Sequence, residues 1–174
     1  MDCTEFSRHL ASAKALEASR NFEQAQAGYR NLLANELDED QRASALVGTA
    51  ACFLWMSEPS KAVRALADLQ IEELDQTVQA VVCNVRAQAF HELGEYERAI
   101  IEATFAETLA RTVGKSDADV LGESLARQGF AEAELGRLSA AAEHLSEARE
   151  LPIDGSITQS VERYFTRFDL ETYI

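Results

Sequence analysis

Histidine, cysteine and a Gly-Lys-Ser triplet mark where this sequence could do chemistry. The three histidines, His9, His91 and His144, lie far apart along the chain. His91-Glu92 opens like a zinc-binding H-E-x-x-H helix, but the second His does not follow, so no metal site is expected. Gly114-Lys115-Ser116 matches the end of a phosphate-binding P-loop. The full pattern needs a further Gly five residues earlier, after a strand. Position 109 is Leu109 and the preceding segment reads as helix, which argues against nucleotide binding. No Ser, His and acid set has a motif around it, and G-x-S-x-G is absent. Carboxylates are plentiful, but in so acidic a chain they read as a solvated face before an acid–base pair. The expectation is a non-enzymatic protein with no catalytic residue, no metal and no cofactor.

The three cysteines, Cys3, Cys52 and Cys83, form no C-x-x-C. Cys52 and Cys83 lie among apolar residues and read as small core fillers. This usage suits a reducing compartment. No segment approaches the ~20 apolar residues that span a bilayer. The start, MDCTEFSRHL, has no basic residues followed by an apolar run, so no signal peptide is read and a cytoplasmic location is expected. The formal net charge is −14, and the 16 basic residues are scattered. A polyanionic duplex needs clustered Lys and Arg, so binding to nucleic acid or to an anionic membrane is not expected. The acidity serves solubility first and a basic partner second.

Ala, Glu, Leu, Arg and Gln dominate, and all favour helix. The 174 residues predict an all-α fold in one domain, with no linker rich in Pro, Gly or Ser. A first helix is capped by Thr4 and carries Phe6, Leu10, Ala13 and Leu16 at helical spacing. A second runs from Phe22 to Leu33, a third over 41–56, and a short fourth from Pro59 to Leu69. A fifth covers 75–93 and a sixth 96–112. Gly114 is expected to end that helix, and Ser116 or Asp117 to cap the next. The seventh runs to Leu135 and the eighth to Leu151. A last helix carries Ile157, Val161, Tyr164, Phe165 and Phe168 on one face.

Four stretches repeat a pattern: SRNFEQAQAGY, SEPSKAVRAL, GEYERAIIEA and GRLSAAAEHL. Each is a turn followed by a helix with an Ala in its first turn. Ala25, Ala62, Ala99 and Ala141 stand 37, 37 and 42 residues apart. Ala13, Ala50, Ala87 and Gly129 precede them by 12 positions each. Two closely crossing helices need small residues at the contact and large ones around it, here Leu16, Tyr29, Phe53, Leu66, Phe90 and Leu145.

On these residues the chain resembles the tetratricopeptide repeat (TPR) family. The third unit matches best, with Ala87, Phe90, Gly94, Tyr96 and Ala99. The family Leu is replaced by Ser12, Thr49, Arg86 and Gln128, and Glu132 stands where a large residue is usual. The resemblance implies an α-solenoid of about four helix pairs, at 4–36, 41–70, 76–113 and 117–151, plus a capping helix at 156–170. It also implies a concave groove lined by the first helix of each pair.

Projected onto this sequence, that groove carries Lys14, Trp55, Asn84, Gln88, His91 and Phe130, with Leu10, Glu17, Val47, Ala51, Leu54 and Glu134 beside them. Asn84 and Gln88 stand one helical turn apart and can both donate to and accept from a peptide backbone, or simply face solvent. Trp55 and Phe130 read either as interface anchors or as buried packing, with burial favoured for Trp55. The family's carboxylate-gripping cluster keeps only Lys14, against Leu10, Gly48, Val81 and Val85, so acidic chaperone tails are not the expected ligand. The leading expectation is an adaptor that binds a partner protein or peptide segment in this groove. The alternative is a small acidic TPR-type chaperone for a secreted bacterial protein, and a small-molecule enzyme or sensor comes third. The final segment either caps the last repeat or enters the groove of a second copy, giving a homodimer through the C-terminal helix.

Overall fold

Polar breaks divide the Ala-, Glu- and Leu-rich stretches into helices, and the computed structural model, which describes residues 2–113 and 118–174, is all-α. The helices are α1 (Cys3–Ala18), α2 (Phe22–Leu33), α3 (Glu39–Trp55), α4 (Pro59–Ala65), α5 (Gln76–Glu92), α6 (Tyr96–Val113), α7 (Ala118–Glu134), α8 (Leu138–Arg149) and α9 (Gly155–Phe168). Short 3-10 turns follow at Ile71–Glu73 and Leu170–Tyr173. Among the described residues there is no strand, and no helix is long and apolar enough to cross a membrane. The expected helix end at Gly114 and cap at Ser116 or Asp117 lie outside the described residues.

The helix starts follow carboxylates more closely than the sequence reading expects. Asp2, not Thr4, caps α1, accepting from the Glu5 amide at 2.8 Å. Asp38 does the same for α3 through the Gln41 amide, and Asp154 for α9 through Ser156. A carboxylate satisfies a free amide and also meets the positive end of the helix dipole. Pro59 sits in the first turn of α4, as expected, but α4 ends at Ala65, short of Leu69.

The four turns inside the helix pairs are built alike. The amides of Asn21, Glu58, Glu95 and Arg137 each donate to the carbonyl five residues earlier, at Leu16, Phe53, Phe90 and Glu132. The residue before each donor has a left-handed backbone: Arg20, Ser57, Gly94 and Gly136, with φ of 61°, 59°, 76° and 75°. This is the Schellman closure of a helix end. The next helix then begins with Ala25, Ala62, Ala99 or Ala141 donating back to the Asn21, Glu58, Glu95 or Arg137 carbonyl. The spacing of 37, 37 and 42 found in the alanines is therefore a spacing of whole turns.

The chain divides into two compact units, Met1–Val78 and Gln79–Ile174. In the first, α1 to α3 pack in series around Phe6, Ala13, Ala25, Tyr29, Leu32, Ala45 and Cys52, and α4 packs on α3. The Tyr29 ring lies so close to Gly48 that any Cβ there would collide with it. The Tyr29 hydroxyl donates to Glu17 at 2.7 Å. In the second unit, α6, α7 and α8 pack in series and α9 lies against α7 and α8. Its core joins Leu125, Phe130 and Leu145 to Val161, Phe165 and Leu170. Leu145 is held over Gly129, where a Cβ would collide with it. Large against small is the packing the sequence pattern called for.

Candidate partner-binding site

In the second unit, α5 carries Asn84, Gln88 and His91 at i, i+4 and i+7, so all three share one face. The face of α7 opposite carries Val120, Arg127, Phe130 and Glu134. Side-chain bonds lace the two. Asn84 Nδ2 donates to the Val120 carbonyl at 3.3 Å. Arg127 Nη2 donates to Gln88 Oε1 at 2.9 Å and to Glu123 at 2.8 Å. Gln88 Nε2 donates to Glu92 at 3.1 Å. His91 meets the edge of Phe130, with ring centroids 6.4 Å apart.

Helix α9 closes the end of this face. The Tyr164 ring lies 4.5 Å from Phe130 and 6.4 Å from His91, centroid to centroid. Its hydroxyl donates to Glu134 at 3.0 Å and lies 3.2 Å from His91 Nε2. Arg167 grips the same Glu134 with both terminal nitrogens, at 2.6 and 3.2 Å, and lies over the Phe168 ring at 4.6 Å. Burial, then Arg127, hold the His91 imidazole below the ordinary histidine range. A neutral imidazole that donates from Nε2 to the Tyr164 oxygen completes one consistent set of bonds. Burial and the bond to Glu134 push the Tyr164 phenol well above its usual range.

Of the expected groove residues, the structure thus brings Asn84, Gln88 and His91 of α5 up against Phe130 of α7. Asn84 is only 1% exposed and its amide is directed at α7 rather than at an open groove. Phe130 is buried under Tyr164. Arg127, which ties the face together, was not singled out in the sequence, where the Glu123–Arg127 spacing of one turn is its only mark. Lys14 and Trp55 belong to the first unit. Lys14 is exposed on α1. Trp55 is 55% exposed and stacks parallel to Phe22, with centroids 6.2 Å apart. Burial, the reading favoured from sequence, does not hold for it, because α3 ends at Trp55. A cavity of about 250 Å³ between α1 and α2, with Leu16, Gly28 and Leu32 in its lining and His9 and Asn31 beside them, was not foreseen either.

A second, partly buried polar cluster lies on α6, α7 and α8. Glu132 occupies the place where the family has a large residue, and it pairs with His144 Nδ1 at 2.7 Å. Thr104 donates to Gln128, and Gln128 to Glu107, at 2.9 and 2.7 Å. The bond to Glu132 raises the His144 imidazole above the ordinary range, against the effect of burial. Among the described residues no three His, Cys, Asp or Glu side chains gather as a metal-ligand set. Burial lifts the Cys52 and Cys83 thiols to about 12, which keeps them protonated and unreactive at neutral pH. Compared with known proteins, the chain matches no family model, no curated protein and no solved structure.

Proposed function

We propose that this chain is a non-enzymatic adaptor that holds a segment of a partner protein against the first helices of TPR-like pairs. The four equivalent turns support an α-solenoid of such pairs with α9 as its cap. The observation that carries the binding reading is Trp55. It is the chain's single tryptophan, and more than half of its surface is open. Aromatics of this size dominate protein interfaces, and an exposed one stacked on Phe22 is pre-ordered for contact. Lys14 is the exposed charge assigned to the same groove. The matching face of the second unit already takes a helix, its own α9, through one tyrosine and one arginine. A face that accepts an aromatic and a basic residue supports a partner segment of that composition, in keeping with the net charge of −14.

Affinity capture from the native cell with mass spectrometry tests this, run with wild-type protein and with Trp55→Ala. A partner retained by the first and lost by the second supports the reading. The alternative, a small acidic chaperone for a secreted protein, is favoured only by the charge. It is separated by whether the captured partner is unstable and protease-sensitive without this chain.

A further inference from the structure

The cavity between α1 and α2 lies on a face whose counterpart in the second unit is covered by a helix. Ala13 and Ala25 correspond to Gly129 and Ala141, each 116 positions further on. On that register Ser12, Leu16, Gly28 and Asn31 match Gln128, Glu132, His144 and Glu147 of α7 and α8. Helix α6 covers the face they form. Thr104 donates to Gln128 and Gln128 to Glu107, at 2.9 and 2.7 Å. Arg111 donates to Glu147 at 2.8 Å. Glu132 and His144 pair at 2.7 Å, and the charges of Glu107 and His144 interact.

In the first unit the matching face is open. The cavity over Leu16, Gly28 and Leu32, about 250 Å³, is lined by α1, α2 and Asn35 alone among the described residues. Helix α3 takes another face of α2, at Phe22 and Tyr29. The chemistry of the face has changed as well. Leu16 stands where the second unit has Glu132, and Gly28 where it has His144. A polar pair thus becomes an apolar floor with one side chain missing. A terminal pair of a helical stack needs a polar outer face for solubility, and the exposed His9, Ser12, Asn31 and Asn35 meet that need. An apolar hollow between them serves no such purpose. Well-packed proteins leave few voids, and an apolar cavity of about 150 Å³ already accepts a benzene ring.

We propose that this face is a seat for an amphipathic helix of a partner protein, laid as α6 lies on α7 and α8, with a large apolar side chain where α6 has Glu107. Leucine, methionine or phenylalanine there fills the space that Gly28 leaves above Leu16 and Leu32. Polar residues flanking it meet Ser12 and Asn31, which take the places of Gln128 and Glu147. The α6 of a second copy is the wrong occupant. Its Glu107 would be set over Leu16 without the Gln128 amide that donates to it, and burying an unpaired carboxylate is costly. The seat lies on a different face of α2 from the Phe22–Trp55 stack, so the two surfaces are tested apart.

The probe is a labelled peptide of residues 96–113 with Glu107→Leu, held helical by a hydrocarbon link between positions 101 and 105, which are exposed in α6. Fluorescence anisotropy with the full chain is expected to show saturable binding, at least about tenfold tighter than for the same peptide with Glu107 kept. Ser12→Arg, an exposed substitution in the cavity lining, is expected to weaken it by a similar factor with helical circular dichroism unchanged. Trp55→Ala is expected to leave it unaltered. No saturable binding, equal binding of the Glu107 peptide, or binding that survives Ser12→Arg overturns the proposal. Binding lost in Trp55→Ala and kept in Ser12→Arg assigns the peptide to the Trp55 surface and overturns the seat.

Discussion

The Tyr164 hydroxyl donates to Glu134 Oε1 at 3.0 Å, across the gap between the last helix and α7. Arg167 grips the same carboxylate from one turn further along α9. The two bonds, with the ring tilted against Phe130, fix how α9 lies on the second unit. Tyr164→Ala is expected to cost roughly 2–4 kcal/mol, and Tyr164→Phe, which keeps the ring, about 1 kcal/mol. Urea denaturation measures both. Hydrogen exchange of the α9 amides should rise in Tyr164→Ala before that of α7 does. Equal loss of protection in both helices contradicts a local role.

The turns make a prediction of opposite sign at equivalent positions. Arg20 and Ser57 hold left-handed backbones at φ of 61° and 59°, where a Cβ is strained. Gly94 and Gly136 hold the same shape without that strain. Arg20→Gly and Ser57→Gly should each stabilise the fold, by up to ~1 kcal/mol. Gly94→Ala and Gly136→Ala should each destabilise it by about 1 kcal/mol. Thermal melts of the four variants decide it, and melting temperatures that move in one direction for all four contradict the shared geometry.

Gly48 leaves room for the Tyr29 ring, and a methyl there collides with it. Gly48→Ala should therefore cost about 1–3 kcal/mol as overpacking. Adding Tyr29→Leu should remove much of the penalty specific to Gly48→Ala, because the colliding ring is gone. A double-mutant cycle in urea with no coupling between the two positions contradicts the contact.

Two histidines should shift stability with pH in opposite directions. His144 is held above the ordinary range, chiefly by its bond to Glu132, so the folded state favours its protonated form. That stabilisation is full below about pH 6.5, the unfolded histidine value, and is lost as pH rises through the raised folded value. His91 is depressed by burial and by Arg127, so the folded state favours its neutral form. Stability from this group is lost as pH falls from about 6.5 toward the depressed value. Urea midpoints of wild type, His144→Gln and His91→Gln across this range separate the two. The wild-type advantage over His144→Gln should shrink toward alkaline pH, and that over His91→Gln toward acid pH. Flat differences contradict both assignments.

The helices and their breaks were legible because Ala, Gly and Pro fall where helix contacts and ends require them. Gly94 and Gly136 announce their turns, while Arg20 and Ser57 adopt the same turn without any mark in their side chains. The shared face of Gln88 and His91 follows from helical spacing, and the resemblance, not the spacing, set Phe130 of α7 beside it. Spacing does not show which edge of that face the next helix covers, and this is why Asn84 lies inside. Tyr164 meets His91 from 73 positions away, a distance no local pattern bridges. In α6 the repeat pattern marks Ala99 for the contact, and only the packing reveals that Ala103, Ala106 and Ala110 go in with Leu109 while Ile101 and Phe105 stay out.

Trp55 is the most direct point of attack on the binding function. Trp55→Ala removes an exposed side chain, so fold and stability should change little while partner capture from the native cell falls by tenfold or more, on the order expected for an interface hot spot. Undiminished capture by a folded Trp55→Ala protein would contradict the assignment of this surface to a partner.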